Sequence, residues 1–171
     1  SFENFRNGNK IEEWIHNGGK LIALAGALNI FADTENFTLK KKNPKNQNEN
    51  TIPYTEIERS DISFSTTGSI FKATLDKTHP IGYGMERYYT LKLNTDAFHL
   101  LENFGNVFYL DKDADAISGF IGYKAKQGQR NSLLVGQENS GDGKLIYFVD
   151  NPLFRGFWYS GKQLFSNALF F

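Results

Sequence analysis

Gly18-Gly19-Lys20-Leu21-Ile22-Ala23-Leu24-Ala25-Gly26-Ala27 has the pattern with which several α/β hydrolytic folds present a nucleophile. A glycine pair leads into a short apolar strand, and a small-residue turn leads on into a helix. Covalent chemistry at such a turn needs a thiol or hydroxyl beside a base. Here the turn carries Leu24 and alanines, and the chain contains no cysteine. The turn is therefore expected to be built without its nucleophile.

Other chemistry-bearing spacings are incomplete. His99-Leu100-Leu101-Glu102 matches an HxxE zinc pair, but a catalytic zinc needs a third protein ligand and no histidine follows. With Phe98 and Phe104 on either side, the segment reads as ordinary amphipathic chain. Asp111, Asp113 and Asp115 alternate as calcium ligands do, yet the sixth position lacks glycine and the twelfth lacks glutamate. They are expected to be solvated loop carboxylates. Gly141-Asp142-Gly143-Lys144 lacks the rest of a phosphate loop and reads as a tight turn feeding a strand.

Two segments remain as weak binding candidates. In His79-Pro80-Ile81-Gly82-Tyr83-Gly84 the proline holds His79 extended and the glycines permit close backbone approach. A ligand-contacting loop is one reading; a structural turn with a hydrogen-bonded histidine is the expected one. Asp150-Asn151-Pro152-Leu153-Phe154-Arg155-Gly156-Phe157-Trp158-Tyr159 follows a buried strand, where open α/β sheets place ligand crevices. Arg155 and Trp158 could hold a carboxylate or stack on a partner. Against that stands an ion pair of Arg155 with a local acid such as Asp150, the aromatics filling the core.

The elements that would position these residues follow from periodicity. Asn9 to Asn17 predicts a short helix, with Asn9 as cap, Glu12 three residues on, an Ile11/Trp14/Ile15 stripe, and Gly18 as stop. Lys20 to Ala25 is a continuous apolar run that suits a buried parallel strand, and Ala27 to Phe31 opens a second helix. Strands are expected at 62–65, 69–75, 88–93, 106–110, 117–123, 132–136 and 144–149, and a closing helix at 163–171. Between 38 and 58 the apolar content collapses around Lys40-Lys41-Lys42, which predicts a polar surface excursion within one domain, 1–171.

Composition narrows the class. Of 171 residues 40% are hydrophobic, with 16 Phe, 8 Tyr and 2 Trp, enough for a folded core. Nineteen basic residues balance nineteen acidic ones, so no net field draws nucleic acid or an anionic membrane. No run reaches the roughly 18 apolar residues of a membrane span. The chain opens on Ser1 without a signal-like stretch and closes on Ala168-Leu169-Phe170-Phe171, so a segment cut from a longer protein is expected.

In order and spacing, the Gly18–Ala27 segment, His79–Gly84, Asp150–Trp158 and Asn167-Ala168 resemble the domain that follows the catalytic domain in large bacterial zinc carboxypeptidases. That appended domain is similar to class I glutamine amidotransferases. The resemblance implies a three-layer, flavodoxin-like α/β sandwich, mainly parallel with antiparallel additions and incomplete at its N-terminus. Amidotransferases place a cysteine at the strand-to-helix turn and a His-Pro-Glu signature after a late strand. Those positions fall at or beside Leu24, on Asn151, on Pro152 and on Leu153, leaving the triad vacant. Asn151 cannot take a proton and Leu153 cannot orient a base.

The resemblance thus implies a non-catalytic accessory domain of a secreted or periplasmic peptidase. Zinc is expected only in the upstream peptidase domain, which would be its partner in the same polypeptide. An unfinished sheet edge would favour self-association. Two alternatives remain: a hydrolase in which His79, Asp150 and Arg155 converge, and a peptide- or carbohydrate-binding module using the aromatics near Trp158.

Overall fold

The computed structural model describes residues 10–42, 53–102, 105–156 and 158–171. It begins with α1 (Lys10–His16), β1 (Lys20–Leu24) and a 3-10 helix over Ala25–Ile30. Next come β2 (Lys41–Lys42), α2 (Tyr54–Ser63), β3 (Thr66–Leu75), a 3-10 turn at Pro80–Gly82, β4 (Tyr88–Lys92) and β5 (Ala97–Phe98). The chain continues through β6 (Asn106–Leu110), β7 (Ala116–Ile121), α3 (Tyr123–Gln129), β8 (Ser132–Ser140) and β9 (Gly143–Phe148). A 3-10 turn at Phe154–Gly156 and α4 (Tyr159–Phe170) close it.

Glycine stops α1 as expected. Gly18 takes φ +101°, and the Gly18 and Gly19 amides donate back to Ile15 and Trp14 carbonyls at 3.0 and 2.9 Å. The cap residue Asn9 lies outside the described residues.

The main sheet has seven strands in the order β1-β9-β8-β6-β3-β4, with β7 pairing the remaining part of β3. β1 and β9 are the one parallel pair; every other pairing in the sheet is antiparallel. The protein is therefore α/β with a mixed sheet, and the expectation of a mainly parallel sheet is corrected. The reason is connection length. Parallel neighbours need a crossover of a dozen or more residues, whereas β8 returns as β9 through Gly141 and Asp142 alone, with Gly141 at φ +56°.

Period-two alternation along β9 splits the core between two faces. Ile146 and Phe148 join Ile22, Leu24, Leu134, Val135, Leu164 and Ala168 under α4. Leu145 and Tyr147 join Leu21, Ala23, Leu133, Ile15 and Leu28 under α1 and the first 3-10 helix. Helical segments thus cover the sheet on both sides.

Three sequence expectations change. The strand expected at 62–65 is instead the end and exit of α2, which Pro53 introduces. Of the excursion 38–58, residues 43–52 lie outside the described residues, but Leu39 is fully buried and β2 pairs β5. Residues 123–129, partly assigned to a strand, form α3. No helix among the described residues is long and apolar enough to cross a membrane.

Candidate functional site

The parallel pair sets the outgoing ends of β1 and β9 side by side, with Leu24 opposite Phe148. Ligand crevices of open sheets lie beyond such strand ends. The two loops leaving here, one starting at Ala25 and the other at Asp150, define the candidate site.

Leu24 is partly buried and packs with Ile146, Phe148 and Leu164, so it is a piece of core. The turn's unusual residue is the next one. Ala25 sits at φ +48°, left-handed backbone that costs an L-residue roughly 1–2 kcal/mol. Gly26 beyond it is exposed, with open space where a side chain would stand. Across the edge, Arg155 is also left-handed at φ +50°. Each outgoing loop therefore carries at least one non-glycine residue in left-handed backbone.

Asp150 is held from an unexpected direction. Alternation on β4 turns Tyr88, Thr90 and Lys92 inward, all of them buried. Lys92 Nζ lies 3.1 Å from Asp150 Oδ1 and donates to the Asp96 carbonyl at 2.8 Å. Thr90 Oγ1 donates to Asp150 Oδ2 at 2.8 Å. The Lys92 side chain is 0% exposed and that of Asp150 12%. Burial, with the Asp150 charge nearby, pushes the Tyr88 phenol far above its ordinary pKa. A hydroxyl beside a carboxylate resembles a nucleophile and base, but Thr90 is 2% exposed. The network ties β4 to the loop that follows β9.

The other positions are committed locally. Asn151 is exposed, and its Oδ1 accepts the Leu153 amide at 2.9 Å, closing a side-chain-supported turn. Pro152 is buried against α4, while Leu153 is exposed. Arg155 does not pair with Asp150, contrary to expectation, because Lys92 occupies that carboxylate. Its guanidinium is exposed and lies 5.2 Å from the Phe154 ring. Trp158 is partly buried, with an indole N–H that has no acceptor among the described residues. Tyr159 is 84% exposed, so these aromatics do not all fill the core; Phe157 lies outside the described residues.

His79 is elsewhere. Its Nδ1 accepts the Ile81 amide at 3.2 Å and caps the 3-10 turn. Burial lowers its pKa, Asp76 opposes that shift, and Lys144 adds to it. Lys144 is the second residue of β9 and Asp150 lies beyond the strand's far end, six residues or roughly 20 Å of extended chain away. The structure does not bring His79, Asp150 and Arg155 together. His99 and Glu102 are exposed in an irregular segment. Among the described residues no group of three or more His, Asp or Glu side chains is arranged to hold a metal ion.

An open cleft of about 420 Å³ lies near the β8–β9 turn, lined by Glu12, Glu13, His16, Asn36 and Ser140 among others. Its Glu12 Oε2 is taken by Asn36 Nδ2 at 2.6 Å. This places it at the opposite end of β9 from Asp150.

Sequence reasoning missed Lys92 and Thr90. The signal was the inward parity of Tyr88, Thr90 and Lys92, which sets a lysine where a strand otherwise buries apolar groups. In comparisons with known proteins, no family model matches the chain, and no curated protein sequence matches it significantly.

Proposed function

We propose that the chain is a non-catalytic accessory domain on a class I glutamine amidotransferase-like, flavodoxin-like framework, belonging to a secreted or periplasmic zinc carboxypeptidase. The observation that carries this reading is the parallel pairing of Leu24 with Phe148. The resemblance sets a nucleophile turn after one strand and a His-Pro-Glu signature after a late strand. The pairing makes those two loops neighbours, as a shared site requires.

On this alignment Ala25, one residue beyond Leu24, holds the nucleophile position, because it has the strained backbone of such turns. A methyl group there attacks nothing. The Asn151 carboxamide supports its own turn, and Leu153 offers no charge to a base. In this reading the domain stabilises the peptidase, docks on it or shapes access to its cleft. Zinc belongs to the peptidase domain.

The test is to compare the parent peptidase with and without this domain, following both carboxypeptidase turnover and thermal midpoint. A lowered midpoint with unchanged turnover supports a stabilising role, and altered KM toward large substrates supports an access role. Loss of the reading follows if the isolated chain hydrolyses glutamine, or if neither property of the parent changes.

A second reading, a peptide- or carbohydrate-binding module, is favoured by the exposure of Tyr159 and Arg155 at the same edge. Titration of the chain with an acidic peptide or an oligosaccharide should then shift the Tyr159 resonances. Identical spectra in both titrations reject it.

A further inference from the structure

The connection from β3 to β4 is docked on α4 through the 3-10 turn Pro80–Gly82, and a titrating side chain seats that turn. Pro80 opens it without an N–H, so the Ile81 amide is the first donor of the turn. His79 Nδ1 accepts that amide at 3.2 Å, which puts the imidazole proton on Nε2. Ile81, Gly82 and Met85 are buried, while Tyr83 and Gly84 between them are exposed. Helix α4 grips the same stretch by its carbonyls. Asn167 Nδ2 donates to the Ile81 carbonyl at 2.9 Å and to the Tyr83 carbonyl at 2.8 Å. Gln163 Nε2, one helical turn earlier, donates to the Tyr83 carbonyl at 3.3 Å. All three bonds need these carbonyls turned toward the helix, the orientation that the capped turn gives them.

The charges acting on His79 are Asp76 and Lys144. Asp76 favours the cationic imidazole, though its own Oδ1 is engaged by the Thr78 amide at 2.9 Å and the Thr78 hydroxyl at 2.6 Å. Lys144, from β9, opposes that form and also donates to the Phe171 carbonyl beyond α4 at 3.3 Å. Within the connection Lys77, Glu86 and Arg87 are exposed. Of the elements packed on the turn, α4 contributes Tyr159 and Lys162 in its first turn and β6 the Tyr109 phenol. None of these three changes charge between about pH 5 and pH 7.

We propose that His79 is an acid-released latch: protonation of Nδ1 turns the acceptor of the Ile81 amide into a second donor and frees residues 80–84 from α4 while the sheet stays folded. An imidazolium has no lone pair for the amide. It also stands as a second cation beside Lys144, which is itself tied to the end of α4. Opening the turn removes both conflicts. In the open turn His79 is solvated and titrates near its ordinary value, whereas in the closed turn burial lowers it. The closed form therefore prevails above that ordinary value and gives way as pH falls through it. The latch lies apart from the Leu24 and Asn151 loops and stands whether or not the accessory-domain reading holds.

Hydrogen exchange followed by NMR on the 171-residue chain tests it, with rates corrected for the intrinsic effect of pH. As His79 titrates, the Ile81 amide is expected to lose protection by about two- to tenfold, the worth of one net hydrogen bond. The Asn167 side-chain amide signals should move in the same step, while Leu145 and Tyr147 in β9 keep their protection. His79→Asn supplies a cap whose oxygen accepts at any pH, so its Ile81 protection should not depend on pH. Asn167→Ala should lower Ile81 protection already at neutral pH. Ile81 protection that stays constant while His79 titrates overturns the proposal. So does the same acid loss in His79→Asn, an Asn167→Ala chain protected like the wild type, or a loss that β9 shares equally.

Discussion

Lys92 Nζ stands 3.1 Å from Asp150 Oδ1 with its whole side chain withdrawn from water. Two residues 58 apart in sequence thereby tie β4 to the loop that leaves β9, the loop carrying Asn151, Pro152 and Leu153. A carboxylate held this way fixes the loop that follows β9.

Removing one member of a buried pair strands the other, at a typical cost of about 3–5 kcal/mol. Lys92→Met is therefore expected to lower the urea midpoint strongly, because among the described residues Asp150 keeps only the Thr90 hydroxyl. Lys92→Met with Asp150→Asn should cost clearly less than the sum of the single changes, with a coupling of roughly 1–3 kcal/mol. Additive single costs would show that the two side chains do not interact in solution.

Gly161 and Gly26 should respond in opposite directions to alanine. A Cβ at Gly161 would run into the Pro152 carbonyl and the Trp158 side chain. Gly161→Ala is expected to cost about 1–3 kcal/mol by overpacking and to loosen α4 from the loop. At Gly26 a Cβ meets open space and the backbone is not left-handed, so Gly26→Ala should add about 0.4–1 kcal/mol through the unfolded chain. Chemical denaturation of both variants distinguishes these outcomes.

The sequence made legible what depends on short-range pattern. The apolar run Lys20–Leu24 announced a buried parallel strand, Gly18 announced the helix stop, and six of the strands lay close to their expected places. Strand direction was not legible, because it depends on which ends meet through loops such as Gly141-Asp142. Helix α2 was hidden because residues 55–59 and 61–62 are all exposed, so it lacks the buried apolar stripe that marks a packed helix. The pairing of Lys92 with Asp150 was hidden for a different reason: nearness across 58 residues is a product of topology. Arg155, five residues on in sequence, was the natural local choice and lies instead over the Phe154 ring.

Ala25 separates strain kept for function from strain kept by packing. Relief of a left-handed alanine gains roughly 1–2 kcal/mol, against about 0.5–1 kcal/mol of added chain entropy in glycine. Ala25→Gly should therefore be neutral or mildly stabilising by thermal melting. Ala25→Cys should give an accessible thiol that alkylating reagents modify, yet no glutamine hydrolysis, since neither Asn151 nor Leu153 can serve as base or orienter. Measurable turnover in Ala25→Cys alone would show that another base reaches this edge.

His79 and Tyr147 are shifted in opposite directions, so their contributions to stability respond to pH with opposite signs. His79 has its pKa lowered below 6.5, chiefly by burial. The unfolded chain then binds the proton more readily, so stability falls as pH drops through the unfolded value toward the folded one. Tyr147 is shifted the other way: burial first, then the Glu138 charge, push its phenol well above 10.0, while its hydroxyl donates to Glu138 Oε2 at 2.9 Å. The unfolded chain then loses the proton first, so this contribution is complete below the unfolded value and declines as pH rises through and beyond it. His79→Gln should flatten the thermal midpoint between about pH 7 and pH 5. Tyr147→Phe should lower stability at neutral pH, because the hydrogen bond is lost, but should reduce the further fall above about pH 10. An acid limb unchanged in His79→Gln would place the acid sensitivity on the carboxylates, with Asp76, whose carboxyl the Thr78 hydroxyl holds below its usual range, the first to test.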